Sequence, residues 1–461
     1  MSTTALPSAA VTGPLDRLAR RLLHARLAGL TEGRLHVADA DGETAFGAGT
    51  QPAARIRVHA PRFYRRAVTG GALGAAASWI DGDWDCDRLA DLFRILLRGR
   101  AATGRFDRGG IAGTANALAR LAQRARANTP GGSRRNIRDH YDLGNDFFRL
   151  FLDGSMTYSA GVFETDDTTL EQAQTAKLDR ICRKLDLRPE HRVLEIGTGW
   201  GSFALHAARH YGCHVTTTTI SAEQHALASE RIHDAGLEDR ITLLQSDYRD
   251  LEGQFDRLVS IEMIEAVGRE YLETFFRICS DRLRPDGAML LQVITTSDRE
   301  YEAYRRSVDF IQRYVFPGSH CPAPRALFDA IGRVGDLRPV HLEDLAADYA
   351  ETLRHWRDRF HAAADQVRAL GYPERFLRLW DFYLQYCEAG FDERHIGDLQ
   401  LLLAKPRNTA PAIRPALRAT GVPPTKENAL ARRGDTDRAH RRTTDAFCPG
   451  PPRPAPLETD R

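Results

Sequence analysis

The stretch HRVLEIGTGWGSFALHAARHYG, residues 191–212, limits the possible folds more than any other part of the chain. Val193–Ile196 read as a buried strand, and Gly197, Gly199 and Gly201 follow within five residues. An amphipathic helix begins at once after them. Glycines in a strand-to-helix turn let the backbone take positive φ and approach a ligand closely. The same alternation continues downstream. CHVTTTTIS reads as a strand, AEQHALASERIHDAG as a helix, RITLLQSDY as a strand, and FDRLVSIEMIEAVG as a strand running into a turn or helix. Strands alternating with helices predict a doubly wound α/β sheet. Upstream, Thr168–Glu171 reads as a capping box. It opens a helix whose Leu178, Ile181, Cys182 and Leu185 share one face, which makes Cys182 a core residue.

The turn also bears on the ligand. A dinucleotide site calls for GxGxxG and an acid about 20 residues later to hold the ribose. Here the pattern is GxGxG with Glu195 just before it, and the strand that would carry the acid reads TTTTIS. Both departures disfavour a nicotinamide dinucleotide. An acid followed by GxGxG, with Thr198 inside the turn, fits S-adenosylmethionine, which has no phosphate to cradle.

Residues 134–406 resemble the cyclopropane-fatty-acyl-phospholipid synthase family of S-adenosylmethionine-dependent lipid methyltransferases. The segments that carry the resemblance are HYDLGNDFFRLFLDGSMTYSAGVFE, VLEIGTGWGSFALHAA, TTTTISAEQ, SDYRDL, VSIEMIEAVGREYL, RYVFPG, DYAETLRHWRDRF and YCEAGF, in order. ASWIDGDWDCDRLADLFRILL is similar to the family's N-terminal lipid-associating domain. The resemblance implies a Rossmann-like class I methyltransferase sheet with a smaller N-terminal α+β domain. It divides the chain into an N-terminal domain at 1–125, a linker at 126–135, a methyltransferase domain at 136–406 and a disordered tail at 407–461. The tail's Pro, Arg and Thr content and few large apolar residues support that last expectation.

Carried over by motif, the cofactor site comprises Tyr158, Ser159, Glu195, Gly197, Thr198, Gly199, Gly201, Thr219, Gln224, Asp247 and Tyr248. Thr219 and Gln224 can hydrogen-bond a ribose, and Tyr248 can lie against adenine. The family's reaction adds the sulfonium methyl to a cis-alkene of a lipid chain, after which a base removes a proton and a ring closes. The resemblance implies a bicarbonate base held by a cysteine, a glutamate, a histidine, a tyrosine and a backbone group. In this chain the glutamate is Glu265, the tyrosine Tyr349 and the backbone position Ile294, but the cysteine falls on Ala160 and the histidine on Gln292. Gln292 can hydrogen-bond without titrating, and Ala160 can do neither.

Four outcomes stay open. Bicarbonate can still bind and give a cyclopropane fatty acid, the leading expectation. A carboxylate such as Glu265 can deprotonate directly and give a methylene- or methyl-branched chain. The site can be retooled for another methyl acceptor. Loss of catalysis would leave a lipid-binding relative. Glu262, three residues before Glu265, could share its face and raise a pKa, but reads first as a surface or capping acid. His140, Tyr141 and Asp142 read as a channel cover or a capping turn, and His320 and Cys321 as ordinary loop residues.

The remaining features narrow location and partners. The seven cysteines stand apart with no CxxC pair, arguing for a reducing cytosol and against zinc or a disulfide framework. No metal site is expected. A net charge of +2 in 461 residues gives no nucleic-acid signal. The N-terminus lacks the order of a signal peptide, and no apolar run nears the roughly 20 residues of a spanning helix. RILLRGRAATGRFDRGG and ANALARLAQRARAN set arginines beside apolar residues and suit a membrane surface. The expected partners are unsaturated phospholipid acyl chains at the inner face of the membrane, and the resemblance allows a homodimer.

Overall fold

In the computed structural model, which describes residues 13–100 and 143–410, two sheets organise the chain. The first has four strands, β1 Arg34–Asp39, β2 Gly42–Phe46, β3 Ala53–Val58 and β4 Trp84–Cys86, in the order β2-β1-β3-β4. Strand alternation places Leu35, Val37, Ala54 and Ile56 inward. Helices α1 (Pro14–Leu27), α2 (Arg62–Ile80) and α3 (Leu89–Arg98) belong to the same part.

The second sheet has seven strands. Helix α4 (Leu170–Lys184) leads into β5 (Arg192–Ile196), α5 (Ser202–Tyr211), β6 (His214–Thr218), α6 (Ala222–Asp234), β7 (Ile241–Leu244) and β8 (Phe255–Ile261). Helix α7 (Leu272–Arg282), β9 (Leu283–Thr296), α8 (Pro324–Val334), β10 (Arg338–Asp344), α9 (Ala346–Ala362), α10 (Glu374–Asp392) and β11 (Ile396–Ala404) complete it. The order is β10-β11-β9-β8-β5-β6-β7, with β11 the one reversed strand, antiparallel to both β9 and β10, among six that run the same way. From β5 the chain winds outward through β6 and β7, then returns to place β8 on β5's other side. Ligands bind outside the carboxyl ends of the strands at such a switch point. The glycine turn after β5 and the loop after β8 both lie there.

The capping box at α4 forms one residue later than the sequence suggests: Thr169 and Gln172 cap each other's backbone. Thr168 instead bonds Thr165 in the preceding turn. Cys182 is fully buried, as its periodicity predicts.

Helix α10 joins the two sheets' surroundings. Trp79 donates to the Arg378 carbonyl at 2.9 Å, and the Arg378 guanidinium lies 4.3 Å from the Trp79 ring centre. Phe93 of α3 meets Phe382 edge-on at 4.9 Å, and Arg94 pairs with the buried Glu388 at 2.8 Å. An aromatic cluster of Phe147, Phe148, Phe151, Trp356 and Trp380 roofs the carboxyl end of the sheet and fixes α9 and α10 over it. The expected linker 126–135, His140–Asp142 and the tail beyond 410 lie outside the described residues.

Candidate active site

A cavity of roughly 350 Å3 opens at the switch point. One side is the glycine turn. Gly197 has φ +103°, and a Cβ there would stand 3.1 Å from Met263; Gly201 has φ +89° at the start of α5. The Gly197 and Thr198 amides both donate to the Thr218 carbonyl, tying the turn to β6. Thr198 meets Thr217 at 2.7 Å, and Thr217 donates to Glu195 at 2.6 Å. Burial pushes Glu195 up to about 8, against the opposing pull of Thr217 and Lys177. Thr219 donates to Gln224 at 2.8 Å, so these two predicted ribose contacts hold each other in place. Asp247 takes a two-pronged pair from Arg249 at 2.8 and 2.7 Å. Arg249 in turn lies over the rings of Tyr248 and Tyr271. The Tyr248 ring packs edge-on to Phe275, and its buried hydroxyl has no hydrogen-bond partner among the described residues. A glycine cradle, a buried acid and an unpartnered phenol fit S-adenosylmethionine.

The second side is DGSMTYSAGVFE, residues 153–164. Asp153 folds it by accepting from the Ser155 and Thr157 amides at 2.8 and 3.0 Å, an Asx-type turn that leaves Met156 at φ +58°. Tyr158 meets the Tyr383 hydroxyl at 2.9 Å and packs 5.1 Å from Trp356. Ser159 accepts at 2.7 Å from Lys177, a wholly buried cation whose pKa burial lowers to about 8. Sequence reasoning missed Lys177. Its place on the apolar face of α4 next to Leu178 was the available signal, since a lysine there must find a buried partner.

The third side corrects the reading of Glu262. It is no surface or capping acid. Glu262 is the residue after β8, and its φ of +47° aims its side chain into the cavity, where it is a lining residue. Non-glycine residues at positive φ concentrate at functional sites because surrounding contacts must hold them there. Three donors hold this one: the Ala160 amide at 3.0 Å and Gln292 Nε2 at 2.8 Å on Oε1, and the Tyr349 hydroxyl at 2.6 Å on Oε2. Ala160, Gln292 and Tyr349 stand at three of the positions that the resemblance assigns to bicarbonate ligands, and each donates to Glu262, Ala160 through its backbone amide. The fourth, the Ile294 amide, donates to Glu265 Oε1 at 2.5 Å, while Glu265 Oε2 is buried with no partner among the described residues. Burial raises Glu262, with its three hydrogen bonds and Lys177 opposing; burial and the neighbouring Glu262 push Glu265 up to about 8.

Leu97 of α3 lines the cavity together with Ile311, Phe316, Tyr386 and Cys387. The wall around them is apolar and aromatic, as a hydrocarbon chain requires. His320 is buried, donating its backbone amide to the Glu265 carbonyl, and its ring meets the Tyr301 hydroxyl at 3.0 Å. Among the described residues no group of His, Cys, Asp and Glu could hold a metal ion. No helix among them is long and apolar enough to cross a membrane.

Comparison with known proteins agrees with this geometry. The sequence profile of the mycolic acid cyclopropane synthetase family matches residues 130–401, more than half of the chain. The tuberculostearic acid methyltransferase UfaA1 of Mycobacterium tuberculosis is 37% identical over 384 residues, 80% of this chain and 88% of that one. The cyclopropane-fatty-acyl-phospholipid synthase of Escherichia coli K12 is 39% identical over 367 residues, 77% and 89% of the two chains. Among solved structures, the mycolic acid cyclopropane synthase CmaA1 in complex with SAH and CTAB superposes with a TM-score of 0.56 at 31% identity. That match covers 59% of this chain and 98% of CmaA1. The chain belongs to the mycolic acid cyclopropane synthetase family and is an S-adenosylmethionine-dependent lipid methyltransferase.

Proposed function

We propose that the protein transfers the methyl carbon of S-adenosylmethionine to a cis double bond in an unsaturated phospholipid acyl chain, and that Glu262 removes the proton that completes the product. The observation that carries this reading is the convergence of the Ala160 amide, Gln292 and Tyr349 on the Glu262 carboxylate. Those donors are committed to a side chain of the protein, so a tethered carboxylate does the work that the resemblance assigns to bicarbonate.

When bound, S-adenosylmethionine supplies an electrophilic methyl group, and its capture by the alkene leaves a positive charge on the neighbouring chain carbon. That cation needs a dry cavity, a nearby negative charge and a base. Tyr158, Trp356, Phe316 and Tyr383 exclude water around the cavity. Glu262 supplies the charge and accepts the proton, and Tyr349 keeps its carboxylate oriented. Proton loss from the new methyl, directly, closes a cyclopropane. The same loss after a hydrogen has shifted from the methyl-bearing carbon to its neighbour gives a methylene branch.

The branch is the product this reading favours. Glu262 in the anion pocket, beside Ala160 and Gln292, is the feature that sets this chain apart from the bicarbonate-holding pattern. The ring is the second reading, favoured by 39% identity to the Escherichia coli synthase. An acyl chain must leave a bilayer to reach the cavity, so contact with a membrane surface belongs to the proposal, with the N-terminal part as the lipid-associating element.

The test incubates the protein with methyl-labelled S-adenosylmethionine and vesicles of cis-unsaturated phospholipid, then separates ring from methylene by mass spectrometry after derivatisation. Labelled acyl chains in the wild type and none with Glu262→Gln are expected. Label that never enters an acyl chain, or a fully active Glu262→Gln, overturns the proposal.

A further inference from the structure

Strand β11 carries a buried acid that the chemistry above does not use. Asp398 is fully inaccessible to solvent, as are Gln292 on β9 and Gln400, two residues along β11. Three polar side chains side by side inside a sheet need a connected hydrogen-bond network. Gln292 and Gln400 are register partners, and Asp398 lies opposite Ile294.

The network has a direction. Lys184, at the end of α4, can only donate, and it donates to Gln400 Oε1 at 2.6 Å. That fixes the Gln400 amide, whose Nε2 donates to Gln292 Oε1 at 3.0 Å. With its oxygen used there, Gln292 must turn its NH2 the other way. It places one hydrogen on Glu262 Oε1 and the other on Asp398 Oδ2, each at 2.8 Å. Lys184 is itself anchored by Glu343, which also takes Arg180 at 2.9 Å. A cation near the sheet edge thus determines which end of an amide faces the base.

We propose that Asp398 is a positioning residue for the methyl transfer: through the Gln292 amide that it shares with Glu262, it locks the base in place, and the two carboxyls together carry one negative charge, on Glu262. This rests on Glu262 being the base. Two ionised carboxylates on one amide would repel in a buried setting. Glu262 holds two further donors, Ala160 and Tyr349, whereas among the described residues Asp398 has only the Gln292 bond, its buried Oδ1 finding no partner there. The better-solvated carboxylate keeps the charge. Burial, then Glu262 and Glu265, push Asp398 well above the usual carboxylate range, with Lys177 the opposing cation. The other ionisable groups around the pair are Tyr349 on α9, and Lys184 and Glu343 beyond Gln400.

The test compares Asp398→Asn, Asp398→Leu and Lys184→Met in the full-length protein. It reads kcat across pH, KM for S-adenosylmethionine, and binding of that compound by calorimetry as the check on folding. Asp398→Asn, a neutral acceptor of the same shape, should keep kcat within about threefold and leave the acid limb of the pH profile in place. Asp398→Leu leaves the second Gln292 hydrogen unbonded, and Lys184→Met frees the amide chain to flip. Each should lower kcat about tenfold or more at unchanged KM and shift the acid limb. If Asp398→Leu fails to bind the cofactor, Lys184→Met decides alone. The proposal is overturned by wild-type kcat and pH profile in every folded disrupting variant. An acid limb that moves by a full pH unit in Asp398→Asn overturns it too, since the pair would then carry two charges. Activity in Glu262→Gln would instead remove the base assignment, whatever Asp398 does.

Discussion

The Tyr349 hydroxyl donates to Glu262 Oε2 at 2.6 Å, joining residues 87 positions apart in sequence. Glu262 reaches that bond from a backbone at φ +47° after β8, and Tyr349 from the first turn of α9, where its ring stacks 4.3 Å from Phe391. A general base contributes roughly 10²–10⁴ to a proton-transfer step. Glu262→Gln should therefore lower kcat by about 10³-fold while S-adenosylmethionine still binds, read by turnover and calorimetry. Tyr349→Phe should cost about tenfold in kcat, the worth of one orienting hydrogen bond.

A tethered carboxylate makes external bicarbonate dispensable. Wild-type turnover in carbonate-depleted buffer should equal that in buffer with bicarbonate restored. Glu262→Ala opens the Ala160, Gln292 and Tyr349 donors to a small anion, so bicarbonate or formate should recover part of its lost activity. Loss of wild-type activity on depletion would return the base role to the free anion.

Gly197 is replaceable only at a cost on two counts. Its φ of +103° is unfavourable for any side chain, and a Cβ would press on Met263 at 3.1 Å. Gly197→Ala should destabilise the protein by about 1–3 kcal/mol and weaken S-adenosylmethionine binding. Thermal melting with and without the cofactor checks both.

Glu265 links stability to pH. Its pKa is near 8 in the folded chain against the ordinary 4.5. The unfolded chain gives up that proton first, so the stability of the buried neutral acid is whole below about pH 4.5. It is lost as the pH rises through 8. Glu265→Gln keeps an acceptor for the Ile294 amide and removes the titration. In urea unfolding the wild type should lose stability relative to that variant between pH 5 and 8, by about 1 kcal/mol per pH unit. A constant difference would place the Glu265 proton elsewhere.

Much of this protein is written locally. The strand, glycine turn and helix from Arg192 to Tyr211 follow from a short apolar run, three glycines and a 3.6-residue period, all within 20 residues of chain. The same logic places Cys182 in the core. What local patterns cannot carry is convergence. Glu262 reads in sequence as one more acid near a turn, because its role depends on a left-handed backbone that no side chain demands. It depends equally on donors 102, 30 and 87 residues away. Only the sheet order, with β8 beside β5 and β9 and the antiparallel β11 beyond, brings Ala160, Gln292, Tyr349 and Asp398 around it. The sequence determined a glycine turn of the kind that suits a methyl donor. The tertiary structure decided which carboxylate faces the cavity beside it, because burial and hydrogen bonding, set by distant residues, fix where a buried negative charge can rest.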